Sequence, residues 1–299
     1  MRFILAILIV FFSSNCFAFW TKGTDTAPEV QTFCKRVLDD GGTVVDIEYM
    51  DKTVKLLKQL GIWSNVKFLG DANFAVKLDA SGVSVQKLYD LSGNNNDAVQ
   101  ATVGNQPVWT AAVQGGRAGM VFDGTSDFIS FSPADIASDL LGSVLLNFSL
   151  SSSAGYRNLF TAVEASTAIH YLQFYGSWNS SGTFTINQSE NDVVDRVGGN
   201  TAIVSTPQIV HVISNGTAYT IWVNGVSQSL TVLSGANTGD WFGDITLENT
   251  VTLGAGYDSG AASNFSAETL FTVAIFNTAL TTTQRTAIET FINQYYQIY

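Results

Sequence analysis

Tyr219-Thr220-Ile221-Trp222-Val223-Asn224-Gly225 is the stretch on which the fold turns. Five residues rich in β-branched and aromatic types end in Asn-Gly. Both Asn224 and Gly225 tolerate positive φ, so the pair predicts a two-residue hairpin turn between strands. The same alternation recurs at Phe74–Leu78, Gly119–Phe122, Phe128–Phe131, Val144–Leu150, Asn158–Val163 and Ile169–Phe174. It returns at Thr183–Asn187, Gln208–Ser214, Val251–Ala255 and Leu270–Phe276. The gaps hold Gly, Asn, Asp and Ser, and Asp123-Gly124 offers a second hairpin-type turn. Many short strands at near-regular spacing predict a mainly β fold, a two-sheet antiparallel jelly-roll sandwich.

Either side of the strands the period changes to that of a helix. Val30, Phe33, Cys34, Val37 and Leu38 form one apolar stripe, which Gly41-Gly42 ends. Ile47, Met50, Val54 and Leu57 form a second, from about Asp46 to Leu60, with Gly61 at the place of a left-handed cap. A helical hairpin is expected over 28–66. It is too short for a core of its own and must pack on a neighbour. At the far end Thr281-x-x-Gln284 matches a capping box, and Ile288, Phe291, Ile292 and Tyr295 make one face of a last helix.

The chain has 299 residues, of which 46% are hydrophobic and 13% charged, with a net charge of −11. No basic run exists, so nucleic acid is excluded as a partner. The first eighteen residues have the layout of a secretory signal. Arg2 is followed by the apolar run Phe3 to Phe12 and by Cys16-Phe17-Ala18, which predicts cleavage after Ala18. The expectation is a secreted or surface-displayed protein with no membrane span after cleavage, leaving Cys34 without an intramolecular disulfide partner. The domain reading is therefore a signal over 1–18, a leader and helical hairpin over 19–67, and the sandwich over 68–299.

Three stretches carry a family likeness: Leu88-Tyr89-Asp90-Leu91-Ser92-Gly93-Asn94-Asn95-Asn96-Asp97-Ala98-Val99-Gln100, Phe122-Asp123-Gly124-Thr125-Ser126-Asp127-Phe128, and Ile221 to Gly225. Leu253-Gly254-Ala255 and Ala274-Ile275-Phe276-Asn277-Thr278-Ala279-Leu280 follow in order. Together they resemble the laminin-G-like branch of the concanavalin A-like lectin/glucanase superfamily. The resemblance implies the sandwich over about 68–299, and it implies little about activity, because that fold hosts lectins, adhesion modules, hydrolases and lyases. The N-terminal hairpin, with Phe33-Cys34-Lys35-Arg36-Val37 and Leu60-Gly61-Ile62-Trp63, is similar to segments that precede such sandwiches in phage structural proteins.

Catalytic signatures are missing from the sequence. Glycosidases need paired carboxylates, and the superfamily's Glu-x-Asp-x-x-Glu strand has no counterpart here. Glu248 is the one glutamate in a strand-like context, and it has no paired acid two residues away. His170 and His211 fall in strand-like runs and read as structural. Relatives of the laminin-G-like kind hold calcium at one rim, and the resemblance nominates Asp90, Asn96, Asp97, Asp123 and Asp127 for such a cation. The competing reading is that these residues only shape turns. For sugars, which stack their C–H faces on rings, the candidates are Trp178 and Asn179, Asp240 and Trp241, and Trp222. Rim packing competes for the same tryptophans, and Trp63 and Trp109 read as core. The functional expectation is a non-catalytic binding module for a glycan or surface polysaccharide, with recognition in the sandwich loops. Its alternatives are a structural protein of a virion or cell-surface assembly, pairing with itself or with other such proteins, and a divergent polysaccharide hydrolase or lyase.

Overall fold

A computed structural model describes residues 25–258 and 260–299. The signal segment over 1–18 and the start of the leader lie outside the described residues. Helix α1 spans Pro28–Asp39, with proline at its first turn and Val30, Phe33, Cys34 and Val37 buried. Leu38, expected on that stripe, stays 38% exposed at its edge. Helix α2 spans Ile47–Gln59, and the Asp46 carboxylate caps it by accepting the Tyr49 N–H at 2.9 Å. Gly61 adopts φ +70° just past its end, the left-handed position that a Cβ disfavours. Between the two helices, Thr43–Val44 pairs with Ala75–Leu78, so the hairpin donates a strand to the sandwich.

Among the described residues the strands form an eleven-stranded and an eight-stranded antiparallel sheet. At the centre of the eight-stranded sheet, Gly142–Leu150 lies between Pro207–Ser214 and Glu268–Phe276. Val66–Asp71 also pairs with Glu268–Phe276, so this sheet takes its first strand immediately after the helical hairpin. The far half of the larger sheet runs Ile129–Phe131, Thr250–Leu253, Arg157–Val163, Tyr171–Ser177, Thr183–Glu190, Val193–Ala202, Thr231–Ser234. Asn224 and Gly225, at φ +49° and +78°, turn Tyr219–Val223 back into Val226–Ser227 as expected. Asp123-Gly124 does not do the same. The strands on either side, Arg117–Val121 and Ile129–Phe131, belong to different sheets, and the segment is a crossover. Val193–Ala202 and Val108–Gln114 were not readable as strands. The first contains Gly198-Gly199 and two charges and is held by its neighbours.

Two apolar cores result. One lies between the sheets, where Phe148, Val210 and Val273 of the smaller sheet meet Phe160, Phe174 and Ile186 of the larger. The other lies on the outside of the smaller sheet. There α1, α2 and the last helix, α3 at Thr282–Tyr296, cover Leu145, Ile209, Phe271, Ala274 and Phe276. The capping box of α3 forms: Thr281 Oγ1 accepts from Gln284 N at 3.3 Å, and Gln284 Oε1 accepts from Thr281 N at 3.0 Å. Each buried Leu, Phe or Val contributes roughly 1.5–3 kcal/mol, so the helices are held by the sheet far more than by their own propensity. A hydrogen-bonded carboxylate pins the layer. Asp71, wholly buried, accepts from Tyr296 OH at 2.7 Å, Thr272 Oγ1 at 2.6 Å and Asn73 N at 2.7 Å. The architecture is therefore three layers, helices on sheet on sheet; α1 also reaches over Ala75 and Tyr89 at the near end of the larger sheet, and among the described residues no helix lies over the outer face of its far half.

Candidate functional site

That uncovered face is polar by strand alternation. On Tyr171–Ser177, Leu172 and Phe174 enter the core while Gln173 and Tyr175 point the other way. On Thr183–Glu190, Phe184 and Ile186 point in, and Thr185 and Asn187 point out. Pairing then assembles a row. Ser130, Thr252, Thr161, Gln173, Asn187 and Arg196 are successive cross-strand partners, which places them on one face. Four of them, Thr252, Thr161, Gln173 and Asn187, are buried, so neighbouring groups cover much of the row. The ribbon Gly256–Asp258 with Ala261–Ser263 leans over one end, where Asn264 O accepts the Asn158 N–H at 3.1 Å.

Hydrogen bonds link the row. Arg196 Nε donates to Asn187 Oδ1 at 2.9 Å, and Asn187 Nδ2 donates to Gln173 Oε1 at 3.1 Å. The same Gln173 oxygen accepts from Tyr175 OH at 2.9 Å, and burial pushes that phenol well above the usual tyrosine range, keeping it a neutral donor. Beside them, Asn158 is buried and its side chain reaches the Tyr175 phenol, and the Thr161 hydroxyl is buried with no hydrogen-bond partner among the described residues. Buried polar groups without partners are uncommon.

Aromatic rings stand at the open end. Trp178 follows the strand Tyr171–Ser177, in a turn where Asn179 and Ser180 take left-handed φ of +49° and +65°. Ser180 N donates to Gly155 O and Gly155 N to Ser180 Oγ, both at 2.8 Å, which ties this turn to the loop carrying Tyr156. Trp178 meets Tyr156 edge to face at 4.8 Å and Tyr175 at 4.9 Å. The Arg196 guanidinium lies 3.8 Å from the Trp178 ring centre. Stacked on one side and bonded through Nε, that guanidinium is a fork of fixed orientation. Arg36, Arg117 and Arg285 each face a carboxylate. Among the described residues neither Arg196 nor Arg157 does; Arg157, next to Tyr156, gives Nη1 to Phe265 O at 2.8 Å. Tyr156 is 41% exposed. The arrangement offers ring faces, a row of amides and hydroxyls, and a cation with free donors. No carboxylate stands in the row.

Of the residues nominated from sequence, Trp178 and Asn179 belong to this constellation, and the others lie elsewhere. Trp241 is 0% exposed, inside the inter-sheet core against Phe174, Tyr219 and Phe242, so it presents no ring to a ligand. It stands just before the single turn Phe242–Asp244, in the long connection between Thr231–Ser234 and Thr250–Leu253, and its ring folds inward. Asp240, half-buried beside it, has its carboxyl pushed upward, first by burial and then by Asp244 and Asp195; its carbonyl accepts from Tyr219 OH. Trp222 does point away from Ile221 and Val223, but onto the helix-covered face. Arg285 of α3 stacks over it at 3.7 Å.

The cation candidates fall in two separate turns. Asp90 is buried and accepts from Leu69 N, Ser92 N and Ser92 Oγ at 2.7–2.9 Å and from Asn96 N at 3.1 Å. Asp97 accepts from Asp90 N at 2.9 Å and faces Arg36 at 2.7 Å, and Asn96 gives its amide to Lys67 O at 3.2 Å. Asp123 accepts from the N–H groups of Thr125, Ser126 and Asp127 at 2.8–3.0 Å. Burial raises the Asp123 carboxyl, but these bonds and the Thr125 hydroxyl outweigh it and hold it below the usual range. Asp127 is pushed up to about 6, chiefly by burial, with Asp123 adding to it, and accepts from Asp123 N at 3.0 Å. The oxygens are committed to turn N–H groups and to Arg36. Among the described residues no group of three or more His, Cys, Asp or Glu is placed to hold a metal ion.

Tyr156, Gln173, Tyr175, Asn187 and Arg196 were missed in the sequence. Alternation marks Gln173 and Tyr175 as outward, but only strand register brings Asn187 and Arg196 beside them.

No family model matches the chain, and no curated protein matches it. Solved structures do. The chain is similar to the Ruminococcus gnavus IT-sialidase CBM40 bound to alpha2,3 sialyllactose, with 13% identity and a TM-score of 0.49 over 60% of this chain and 99% of that one. It is also similar to the HCR/D W1238A mutant, with 14% identity and a TM-score of 0.53 over 78% of this chain and 53% of that one. The fold is a jelly-roll β-sandwich. At such identity the likeness speaks to the fold and assigns no ligand.

Proposed function

We propose that the chain is a non-catalytic glycan-binding module that works through the uncovered face of its eleven-stranded sheet. The carrying observation is the cluster of Trp178, exposed Tyr156 and Arg196 at the end of a row of amides and hydroxyls. Pyranose rings pair an apolar C–H face with a ring of hydroxyls, and this surface supplies the complement of both. Arg196 favours sugars that carry a carboxylate, because its terminal nitrogens face no acid among the described residues. Secretion or surface display, expected from the first eighteen residues, is part of the same reading.

Matched oligosaccharides that differ only in ending on an acidic or a neutral sugar test it by calorimetry on the full chain. Arg196→Gln is expected to weaken the acidic ligand by about 10- to 100-fold, the worth of a charge-assisted hydrogen bond. Trp178→Ala is expected to weaken both ligands, with the melting temperature nearly unchanged. Binding that survives both substitutions refutes the assignment of the face.

A further inference from the structure

One lateral side of the sandwich carries no charge. Residues 197–239 contain no Asp, Glu, Lys or Arg, in a chain where 13% of residues are charged. The one histidine of this run, His211, is buried. The run builds the second half of Val193–Ala202 and then Pro207–Ser214, Tyr219–Val223, Val226–Ser227 and Thr231–Ser234. The last two are end strands, Val226–Ser227 of the eight-stranded sheet and Thr231–Ser234 of the eleven-stranded one. Only Gln228 to Leu230 joins them, so both sheet edges lie on the same side of the molecule. Val226, Val232 and Leu233 on that side are each at least half-exposed.

Sheet edges are usually blunted by charges, proline, bulges or a covering element. The opposite edge of the larger sheet, Thr43–Val44, is set between α1 and α2. The opposite edge of the smaller sheet, Val108–Gln114, loses register between Thr110 and Gln114, with Ala112 at φ +55°. Val226–Ser227 and Thr231–Ser234 have neither charge nor proline. A register shift opposite Arg196 and Val197 interrupts Thr231–Ser234, so this edge suits side-chain packing better than a long added strand.

Charge decides which partner fits. With a net charge of −11, two copies of this chain repel wherever their charged surfaces meet. They approach closely only where neither carries charge, and this side meets that condition. Exposed aliphatic side chains without charges are also the make-up of an interface core, with charges kept to the rim. Here the rim is Asp195 and Arg196, and Asp195 Oδ1 accepts from Ala236 N at 2.6 Å. We infer that this side is a self-association surface. A second copy packs on it about a two-fold axis, Val226, Val232 and Leu233 meeting their counterparts. A side two sheets deep is small beside the roughly 1,200–2,000 Å² of a standard interface, so the dimer forms reversibly. Arg196 stands one strand in from the contact. Pairing therefore brings two polar faces to one joint, and a polysaccharide long enough to touch both gains avidity. That consequence rests on the polar-face reading; the contact itself does not.

The test is sedimentation velocity on the full chain, from dilute solution up to the solubility limit. The average mass should rise from monomer toward dimer with concentration. Added salt should tighten the dimer, because it screens repulsion between the acidic copies and the contact has no ion pair to weaken. Val226→Lys and Leu233→Lys each set like charges against each other across the two-fold axis. Each should raise the dimer dissociation constant by about 10-fold or more. Leu140→Lys, at an exposed leucine outside the uncharged run, should leave that constant unchanged. All three side chains are exposed, so melting temperatures close to the native one are expected and show that the fold is kept. A monomer at every concentration overturns the inference. So does a dimer that Val226→Lys and Leu233→Lys both leave intact. Neither result touches the polar-face reading, which is judged on ligand binding and Arg196.

Discussion

Asp71 should make the protein lose stability as pH rises from acid to neutral, against the usual behaviour of a paired carboxylate. Its side chain is wholly buried where α2, α3 and the smaller sheet meet. Burial pushes its pKa from 3.8 up to about 6, although Thr272, Tyr296 and Asn73 pull the other way through hydrogen bonds. A folded value above the unfolded one fixes the sign. Below the unfolded value both states hold the proton, and the contribution is fully present. Between the two values the unfolded chain ionises first, and stability drains away. Above the folded value the loss is complete. A gap of roughly two units at about 1.4 kcal/mol each makes that loss about 3 kcal/mol. Asp71→Asn has nearly the same shape and cannot titrate, so other carboxylates cancel when the two proteins are compared. Urea unfolding of both, from about pH 3.5 to about pH 7.5, reads the difference directly. The native protein should lose about 3 kcal/mol relative to the variant across that range. A difference that stays flat, or that moves the other way, refutes the account of this carboxylate.

Two further outcomes follow from placements already described. Trp241→Ala should lower unfolding free energy by about 3–5 kcal/mol, the cost of emptying a large core site, while oligosaccharide affinity measured on the remaining folded protein stays the same. Thermal unfolding in millimolar calcium and in chelator should give midpoints within about 1 °C, because the turn carboxylates already accept N–H and guanidinium donors; a larger rise would show a cation bound at Asp90 or Asp123.

Local signals proved legible where local physics decides. The stripes of α1, Leu38 apart, and α2, the Gly61 cap, the Asn224-Gly225 turn and the Thr281–Gln284 box formed as their spacing predicts. What failed needed contacts between distant residues. Trp241 sits among Gly and Asp, which reads as an exposed loop, yet Phe174 and Tyr219 enclose it. Trp222 alternates correctly, but alternation does not say which face a helix some sixty residues later will cover, and Arg285 covers that one. The Asp and Asn residues of the two turns match cation chemistry and turn chemistry equally in sequence; in the structure their oxygens accept turn N–H groups and Arg36, and thermal unfolding in calcium decides between the two. Arg196 lies in a strand with two glycines and gave no signal of its own. Its meaning comes from register with Asn187 and from the ring of Trp178.

The helix layer has a practical corollary for handling the protein. Asp25, the first described residue, is held to α2 by its carbonyl, which accepts from Lys55 Nζ at 2.6 Å. The last residues follow directly from α3, and Asn293 Nδ2 binds Tyr299 O at 2.7 Å. Both described ends therefore lie on the helical side, with two sheets between them and the polar face. A biotin, a resin linkage or a fluorescent fusion placed at the C-terminus would sit at the back of the molecule. Immobilised that way, every copy would turn its open sheet toward the solution.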